Sequence, residues 1–256
     1  MLLCLDVGNS QIFGGVFVDD ELKLRFRRTS QLRSSSDELG VFFRSVLREN
    51  GIEHDRISNV AICCVVPDLL YSLRACCQKY FSLEPIVLRP GVKTGLKIRY
   101  QDPKEVGADR IADAVGATVL FPDRNLVVVD FGTATTLCAT TKKKEFLGGN
   151  ILPGVRLSME ALAERTAQLP AVEILPPDRA IGRNTVESIQ CGLYWSNVGM
   201  VREVVSRITA ESFADDAPLV IGTGGFAQLF NREDLFDEVV PDLILTGLRE
   251  IVRLNT

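Results

Sequence analysis

The order of apolar and polar positions near the start of the chain predicts a β-hairpin. An apolar run from Leu2 to Val7 stops at Gly8, and a second run from Ile12 to Val18 follows a short polar turn. Two short apolar runs joined by a tight polar turn are typical of antiparallel strands. Asp6, near the end of the first run, is therefore expected beside the turn.

The segment after this hairpin predicts an amphipathic helix. Ser35 and Glu38 have the spacing of a capping box, and Gly51 supplies a stop signal. The apolar residues between these signals fall on one helical face: Leu39, Phe42, Phe43, Val46 and Leu47.

Strand and helix signals continue to alternate. Ile57 to Val66 predicts a buried strand, Pro67 the first residue of a helix, and Ile86 to Leu88 a short strand. Interleaved strands and helices predict an α/β fold.

The second half of the chain opens in the same way as the first. An apolar run ends at Asp130, Gly132 follows, and a further strand pattern begins at Thr135. Asp6 and Gly8 of the first hairpin thus recur with the same separation. Such a repeat predicts two similar domains facing each other, 1–118 and 119–256.

The two Asp-x-Gly turns have a structural and a functional interpretation. Asp and Gly favour turns in any protein. Each unit also offers a carboxylate for a hydrated cation, a glycine that permits close backbone approach, and amide or hydroxyl donors for phosphate oxygens. Two facing copies predict a clamp for phosphate groups.

Composition and charge exclude several classes of partner. The 256 residues include 29 basic and 33 acidic side chains, with a formal net charge of -4, so we expect no nucleic-acid partner. The longest apolar runs, such as Val60 to Val66, are far shorter than the roughly 20 residues that span a bilayer. The start shows no targeting pattern. We expect a cytoplasmic protein without membrane contact.

The cysteines and the single histidine do not form a recognisable metal site. Four of the seven cysteines are the adjacent pairs Cys63/Cys64 and Cys76/Cys77, which lack C-x-x-C spacing. We expect ordinary core or surface thiols, and a solvated loop position for His54.

Several segments together resemble a known family. The paired hairpins resemble the phosphate loops of the actin and sugar-kinase superfamily, and Leu219 to Ala227 is similar to its glycine-rich adenosine loop. Three further segments match signatures of type III pantothenate kinases, and the resemblance covers the whole chain. These are Gly107 to Arg110, Leu147 to Gly154 and Ile181 to Thr185.

The resemblance implies an architecture and an activity. It implies two actin-like (ribonuclease H-like) α/β domains with ATP in the cleft between them. It also implies transfer of the ATP γ-phosphate to the hydroxyl of pantothenate, which gives 4'-phosphopantothenate in the first step of coenzyme A biosynthesis. Enzymes of the family work as homodimers.

By resemblance, Asp109 is the general base, and Arg110 suits the carboxylate of the substrate. The sequence alone leaves alternatives open. Asp109 is equally an N-cap at a predicted helix start, Arg110 a surface arginine, and Thr185, with Asn184 and Glu187, a helix cap. The substrate-binding residues implied by the resemblance are Tyr100, Gly107, Ala108, Asp109, Arg110 and Thr185.

The resemblance also implies a nucleotide site with two kinds of metal ion. Magnesium is the expected companion of ATP, and Asp130 matches the ligand of a monovalent cation, normally potassium or ammonium. The implied ATP-binding residues are Asp6, Val7, Gly8, Asn9, Ser10, Gln11, Ile12 and Phe13 in the first loop, and Thr133 in the second.

The sequence by itself says less about three further segments. Lys142 to Lys144 with Glu145 predict a solvated turn, or an added attraction for phosphate. Leu147 to Gly154 predicts only tightly bent backbone. A long helix is predicted over Val186 to Arg207, and its apolar face supplies either dimer contacts or core: Ile189, Leu193, Val201 and Val204.

Other functional classes fit less well. Gly222, Gly224 and Ala227, with Asp242 farther on, match a loose dinucleotide fingerprint, but too few residues follow for the remaining strands of that fold. The chain has no Walker sequence. A non-enzymatic, ATP-gated regulatory module of the same fold is the main rival. It has no need of the segment Gly107 to Arg110, which favours the kinase.

Overall fold

The computed structural model describes all residues from Met1 to Thr256 and shows the α/β architecture that the sequence predicts. The strands are β1 (Leu2–Val7), β2 (Gln11–Val18), β3 (Glu21–Thr29), β4 (Asn59–Cys64), β5 (Ile86–Val87), β6 (Lys97–Ile98), β7 (Leu126–Phe131), β8 (Ala134–Thr140), β9 (Glu145–Pro153), β10 (Leu219–Gly224) and β11 (Glu238–Val239). The helices are α1 (Ser36–Glu49), α2 (Pro67–Phe81), α3 (Ala108–Leu120), α4 (Val155–Arg165), α5 (Thr185–Ser212) and α6 (Leu243–Asn255). None of these helices combines the length and the apolar character needed to cross a bilayer.

The first compact unit comprises Met1–Leu96, Gln101–Leu120 and Leu243–Thr256. Its sheet has the strand order β3-β2-β1-β4-β5, in which β1 is antiparallel to β2 and parallel to β4. The predicted hairpin at the start of the chain is confirmed. Apolar side chains from β1, β4, α1 and α2 form one core, which removes a large apolar area from water.

Local sequence signals account for the ends of α1 and α2. The Ser35 Oγ accepts a hydrogen bond from the Glu38 N–H at 3.2 Å, and the Glu38 carboxylate accepts one from the Ser35 N–H at 2.7 Å. This is the predicted capping box, and it satisfies amides that the first helical turn leaves unpaired. Pro67 is the first residue of α2, as predicted, because its ring favours a helical φ and the first turn needs no N–H there.

Two glycines bring α3 and α6 into backbone contact. A methyl group added to Gly247 would overlap the Ala112 carbonyl oxygen and lie 3.0 Å from the Gly116 nitrogen. A methyl group on Gly116 would overlap the Leu243 carbonyl oxygen in the same way. The two helices therefore pack without side chains at their closest point.

The second compact unit comprises Lys97–Tyr100 and Phe121–Asp242. Its six-stranded sheet has the order β11-β10-β7-β8-β9-β6, with β7 antiparallel to β8 and parallel to β10. Side chains of β7, β8, α5 and the turn after β10 form its core. The predicted domain boundaries, 1–118 and 119–256, stay a prediction.

The segment from Leu147 to Gly154 is mostly strand rather than a series of tight bends. It forms the greater part of β9, which pairs with β8 along its length, and its irregularity is one bulge opposite Ala139 and Thr140. Gly148 has a φ of +123° at this bulge. Glycine at this position tolerates that φ, so the glycine-rich sequence marks a bulge inside a strand.

The apolar face of α5 was expected to supply either core contacts or dimer contacts, and in this chain it packs in the core. Ile189, Leu193 and Val201 are 7%, 5% and 1% exposed, and Val204 packs against the core of the second unit. These side chains are core. They are therefore not a surface through which the chain meets a second copy.

The lysine-rich turn between β8 and β9 is exposed, as one interpretation predicts. The Lys142 ammonium donates to the Asp216 carboxylate at 2.8 Å, and the Asn125 amide donates to the same residue. The Lys142 backbone N–H donates to Asn125 Oδ1 at 3.0 Å. Lys142 thus fastens the turn to the segment before β10.

Candidate functional site

The first phosphate loop is a tight turn whose polar tip is exposed and whose base is buried. Asp6 pairs with Phe13 across the β1–β2 hairpin, and the Gly8 N–H donates to the Gln11 carbonyl at 3.0 Å. Asn9, Ser10 and Gln11 are exposed at the tip. Val7, Ile12 and Phe13 at the base are buried. The core thus anchors the loop while its donors face outward.

The substrate segment begins at a glycine that accommodates a carboxylate. A methyl group at Gly107 would overlap Asp109 Oδ1, so a larger residue would displace that carboxylate. Asp109 Oδ1 also accepts a hydrogen bond from the Arg110 N–H at 2.8 Å. The Asp109 side chain is therefore folded back over the first turn of α3, where the amide dipoles favour negative charge.

The N-cap interpretation of Asp109 is wrong, because Asp109 lies two positions beyond Gly107, the residue that precedes the helix. The helix α3 begins at Ala108, so Asp109 lies inside the first turn. An N-cap precedes the helical residues and accepts from an amide two or three positions later. Asp109 instead accepts from the adjacent Arg110.

Asp6 and Asp109 both belong to elements that pack on β4, the strand that carries the buried side chain of Cys63. Cys63 is 0% exposed on β4, where it is the register partner of Asp6. Burial, and then the negative charges of Asp6, Asp109 and Asp113, raise the pKa of the Cys63 thiol well above its usual range. The thiol is therefore neutral at physiological pH, and the fold brings these acidic residues into one region.

Asp113 is a member of this group that sequence reasoning missed. It is 5% exposed on α3, one helical turn beyond Asp109. The available signal was its spacing of four residues, which places two side chains on the same face of a helix. In the sequence it stands within an apolar stretch, with no motif to single it out.

Arg110 is buried rather than a surface residue. It is 5% exposed. The surface interpretation is therefore wrong, because a guanidinium at a protein surface keeps most of its hydration. A buried guanidinium needs charged or polar neighbours.

The second phosphate loop contains Asp130, next to two glycines. A methyl group at Gly132 would lie 3.3 Å from Asp130 Oδ2, and one at Gly224 would overlap Asp130 Oδ1. Gly224 also has a φ of +86°, which favours glycine. Within the second unit, the Asp130 loop and the glycine-rich segment of β10 therefore meet, and the absence of a side chain at Gly224 lets the Asp130 carboxylate pack directly against the backbone.

Thr133 and the residues beside it complete this loop. The Gly132 N–H donates to the Ala134 carbonyl at 3.1 Å, which closes a tight turn. A methyl group at Gly154 would overlap the Thr133 carbonyl oxygen and lie 2.7 Å from that of Gly132. The backbone at the end of β9 thus packs directly on the turn that carries Thr133.

Tyr100 lies against β9 in the second unit. Its ring would be 3.3 Å from a methyl group at Gly148, so the absence of a side chain at the bulge leaves room for the ring. The Arg99 N–H donates to the Phe146 carbonyl at 2.8 Å and fixes the backbone next to Tyr100.

Thr185 is the first residue of α5, and Asn184 is the cap. The Asn184 Oδ1 accepts from the Glu187 N–H at 2.9 Å, while the Glu187 carboxylate accepts from the Arg183 N–H at 2.8 Å. That bond from the Arg183 amide is the main cause that lowers the pKa of Glu187 below its usual range. The cap does not need the Thr185 hydroxyl. Thr185 lines a cavity of about 520 Å³ between α4 and α5, with mostly apolar neighbours.

The predicted site residues therefore fall into groups by unit. In the first unit, the loop from Asp6 to Phe13 follows β1, which pairs with β4, and the segment from Gly107 to Arg110 leads into α3, which packs against β4. In the second, Asp130 and Thr133 come together with the glycine-rich segment of β10. Tyr100 lies at β9 and Thr185 at the cavity beside α5.

Comparison with known proteins places most of the chain in one family. The family model described as "Type III pantothenate kinase" matches residues 2–207. A curated protein of Legionella pneumophila with that name is 56% identical over 256 residues, which is 100% of both chains. A curated protein of Francisella tularensis, "Type III pantothenate kinase 1", is 46% identical over 255 residues, again 100% of both chains.

A solved structure agrees on the fold. The ROK family glucokinase of Streptomyces griseus, crystallised with glucose and AMPPNP, superimposes with a TM-score of 0.51. The alignment covers 98% of this chain and 99% of that one at 13% sequence identity. This likeness supports the fold predicted from the paired hairpins, that of the actin-like sugar kinases.

Proposed function

The chain belongs to the type III pantothenate kinase family, and on that premise we propose that it transfers the γ-phosphate of ATP to the hydroxyl of pantothenate. The observation that supports the proposal is that β1, which carries Asp6, pairs with β4, and that α3, whose first turn carries Asp109, packs against the same strand. The loop that binds the ATP phosphates and the carboxylate of Asp109 must lie near each other if the pantothenate hydroxyl is to reach the γ-phosphate.

The proposed reaction needs one proton acceptor. The pantothenate hydroxyl oxygen forms a bond to the γ-phosphorus, the bond from that phosphorus to the β,γ-bridging oxygen breaks, and ADP leaves. Asp109 accepts the hydroxyl proton. Its Oδ1 is held by the Arg110 N–H, which fixes the carboxylate for approach of the hydroxyl through the other oxygen. Because the transition state of phosphoryl transfer is loose, orientation of the hydroxyl matters more than base strength.

The remaining residues bind and orient the substrates. We propose that the exposed tip of the first loop, Asn9 to Gln11, donates to ATP phosphates, and that Thr133 does so from the second loop. Tyr100, Thr185 and the segment from Gly107 to Arg110 hold pantothenate.

The loops also suit the metal ions expected of this chemistry. Magnesium is usually held by one or two carboxylates together with phosphates and water, and Asp6 supplies a carboxylate at the first loop. When bound, it neutralises charge that develops on the phosphate oxygens. We propose that a potassium or ammonium ion binds at Asp130. The preference of hard cations for oxygen ligands supports the proposal, and neither Gly132 nor Gly224 places a side chain over this carboxylate.

The first experiment measures ADP release by the purified protein with ATP and magnesium. We expect turnover only when pantothenate is added, and a higher rate in potassium or ammonium buffer than in sodium buffer. The dependence on pantothenate tests the acceptor, and the dependence on the cation tests the site at Asp130 separately.

Two results would contradict these proposals. Equal rates in potassium and sodium buffer would contradict the proposed monovalent-cation site but not the proposed kinase activity. Binding of ATP without pantothenate-dependent turnover in any buffer would instead favour the non-enzymatic regulatory module.

We also propose that the chain forms a homodimer and acts in the cytoplasm. Six of the ten large apolar residues that are exposed fall between residues 151 and 186, a concentration that suits an interface between copies: Ile151, Leu157, Leu162, Leu175, Ile181 and Val186. Sedimentation velocity should show a particle of twice the mass of one chain. A particle with the mass of one chain, at the concentration used for the kinase assay, would contradict the dimer.

A further inference from the structure

We propose that Ser30 is a positioning residue of the first phosphate loop. It holds the carbonyl groups of Gly8 and Ser10 so that the N–H group that follows each of them, that of Asn9 or Gln11, points towards the phosphates of ATP. The inference rests on the proposed function, because it takes the tip of this loop as the phosphate site.

Ser30 follows β3 directly and makes two hydrogen bonds to the loop. Its hydroxyl donates to the Gly8 carbonyl at 2.6 Å, and its backbone N–H donates to the Ser10 carbonyl at 2.9 Å. One residue thus holds the backbone on both sides of Asn9. The Gly8 N–H is held separately by the Gln11 carbonyl at 3.0 Å.

Because the peptide bond is planar, these contacts also fix the direction of the neighbouring amide N–H groups. In a trans peptide, the C=O of one residue and the N–H of the next point in opposite directions, and the chain has no cis peptide bond. With the Gly8 carbonyl turned towards Ser30, the Asn9 N–H points away from Ser30. The Ser10 carbonyl fixes the Gln11 N–H in the same way.

Two amides directed to one side of a turn form an arrangement that binds anions. Because they are fixed before ATP arrives, binding requires little reorganisation of the loop. Without the Ser30 hydroxyl, the peptide between Gly8 and Asn9 is free to rotate, and the loop offers phosphate a less ordered set of donors.

Ser30 is itself well anchored. On one side, the end of β3 pairs Thr29 with Gln11. On the other, the Arg28 guanidinium donates to the Ser34 hydroxyl at 3.1 Å, and Ser34 is 4% exposed. The capping box of α1 begins at the next residue. Ser30 therefore lies between two fixed points, as a residue that orients a loop must.

The test compares Ser30→Ala, Ser30→Thr and a matched control, Ser58→Ala. The Ser58 hydroxyl also donates to a backbone carbonyl, that of Met1 at 3.1 Å, at the opposite end of β1. For Ser30→Ala we expect the KM for ATP to rise roughly tenfold, the effect of losing about one hydrogen bond, with little change in the KM for pantothenate. Ser30→Thr retains the hydroxyl and should restore most of the affinity.

A second readout separates this inference from the proposed function. Binding of ADP, measured by titration calorimetry, should weaken by a similar factor in Ser30→Ala even if the wild-type protein does not phosphorylate pantothenate. Wild-type affinity for nucleotide in Ser30→Ala would overturn the inference. An equal rise in the KM values for ATP and pantothenate would also overturn it, as would a loss of nucleotide affinity no larger than that of Ser58→Ala. Either result indicates a merely structural role.

Discussion

Replacement of Asp109 by Asn should lower kcat for pantothenate phosphorylation by roughly 10² or more and leave nucleotide affinity nearly unchanged. The amide retains the shape of the carboxylate but cannot accept the hydroxyl proton. In the structure, Asp109 Oδ1 accepts the Arg110 N–H, and the amide oxygen of asparagine can make the same bond. The variant should therefore fold normally. Steady-state kinetics and titration with ADP measure the two effects.

A matched control exists for this substitution. Asp68 is the second residue of α2, as Asp109 is of α3. Asp68 is exposed. Asp68→Asn removes the same charge from the same helical position. It therefore measures how much stability is lost when a favourable interaction between a carboxylate and a helix dipole is removed. An equal loss of nucleotide binding and turnover in Asp109→Asn would contradict its role as the base. So would a decrease in kcat of the same size in Asp68→Asn.

Replacement of Gly247 by Ala should destabilise the first unit by about 3 kcal/mol. The added methyl group would overlap the Ala112 carbonyl oxygen and lie 3.0 Å from the Gly116 nitrogen. These are backbone atoms of a helix, so they cannot move aside as a flexible side chain can. The two helices must separate, and apolar contacts along α6 are lost with them. Urea unfolding followed by circular dichroism measures the change.

The control is a helical glycine without such neighbours. Gly199 lies within α5, and a methyl group there would meet nothing within 4 Å. Gly199→Ala should stabilise the protein by roughly 0.5–1 kcal/mol, because alanine favours the helix more than glycine does. Equal stability of Gly247→Ala and the wild type would show that α3 and α6 adjust more readily than their backbone contact indicates.

The sequence predicted features that depend on local chemistry. The capping box of Ser35 and Glu38, the helix start at Pro67 and the hairpin after Leu2 are confirmed. Each depends on a few neighbouring residues whose preferences act within one turn of the chain. The type of element was predictable for the same reason, since hydrophobic periodicity is also local.

Features that depend on distant residues were not predictable in this way. Arg110 was expected in one interpretation at the surface, and its burial depends on how α3 packs within the first unit. Asp113 has no local motif, and its effect on the Cys63 thiol arises from the packing of α3 against β4. A glycine in a helix such as Gly247 looks like a weak point in the sequence. Its role appears only when the opposite helix is known.

The site was predictable as far as the family resemblance reached. The segments around Asp6, Asp109 and Asp130 were identified because their order matches a known family, and the family is shown by the comparisons. The start of α3 was missed by two residues, because the helix begins at Ala108 and an N-cap at Asp109 would have placed its first residue at Arg110. Ser30 was not identified at all, because its role depends on two backbone carbonyls brought to it by strand pairing.

The first unit is built from separate segments of the chain, and this affects the order in which the protein can fold during synthesis. That unit takes its opening strands from the start of the chain and its helix α6 from residues 243–255. During synthesis, α3 emerges long before the helix against which its glycine packs. The larger segment of the second unit, Phe121–Asp242, is complete before α6 is translated and is then free to fold. The helix that carries Asp109 therefore acquires its final support only after residues 243–255 have been translated.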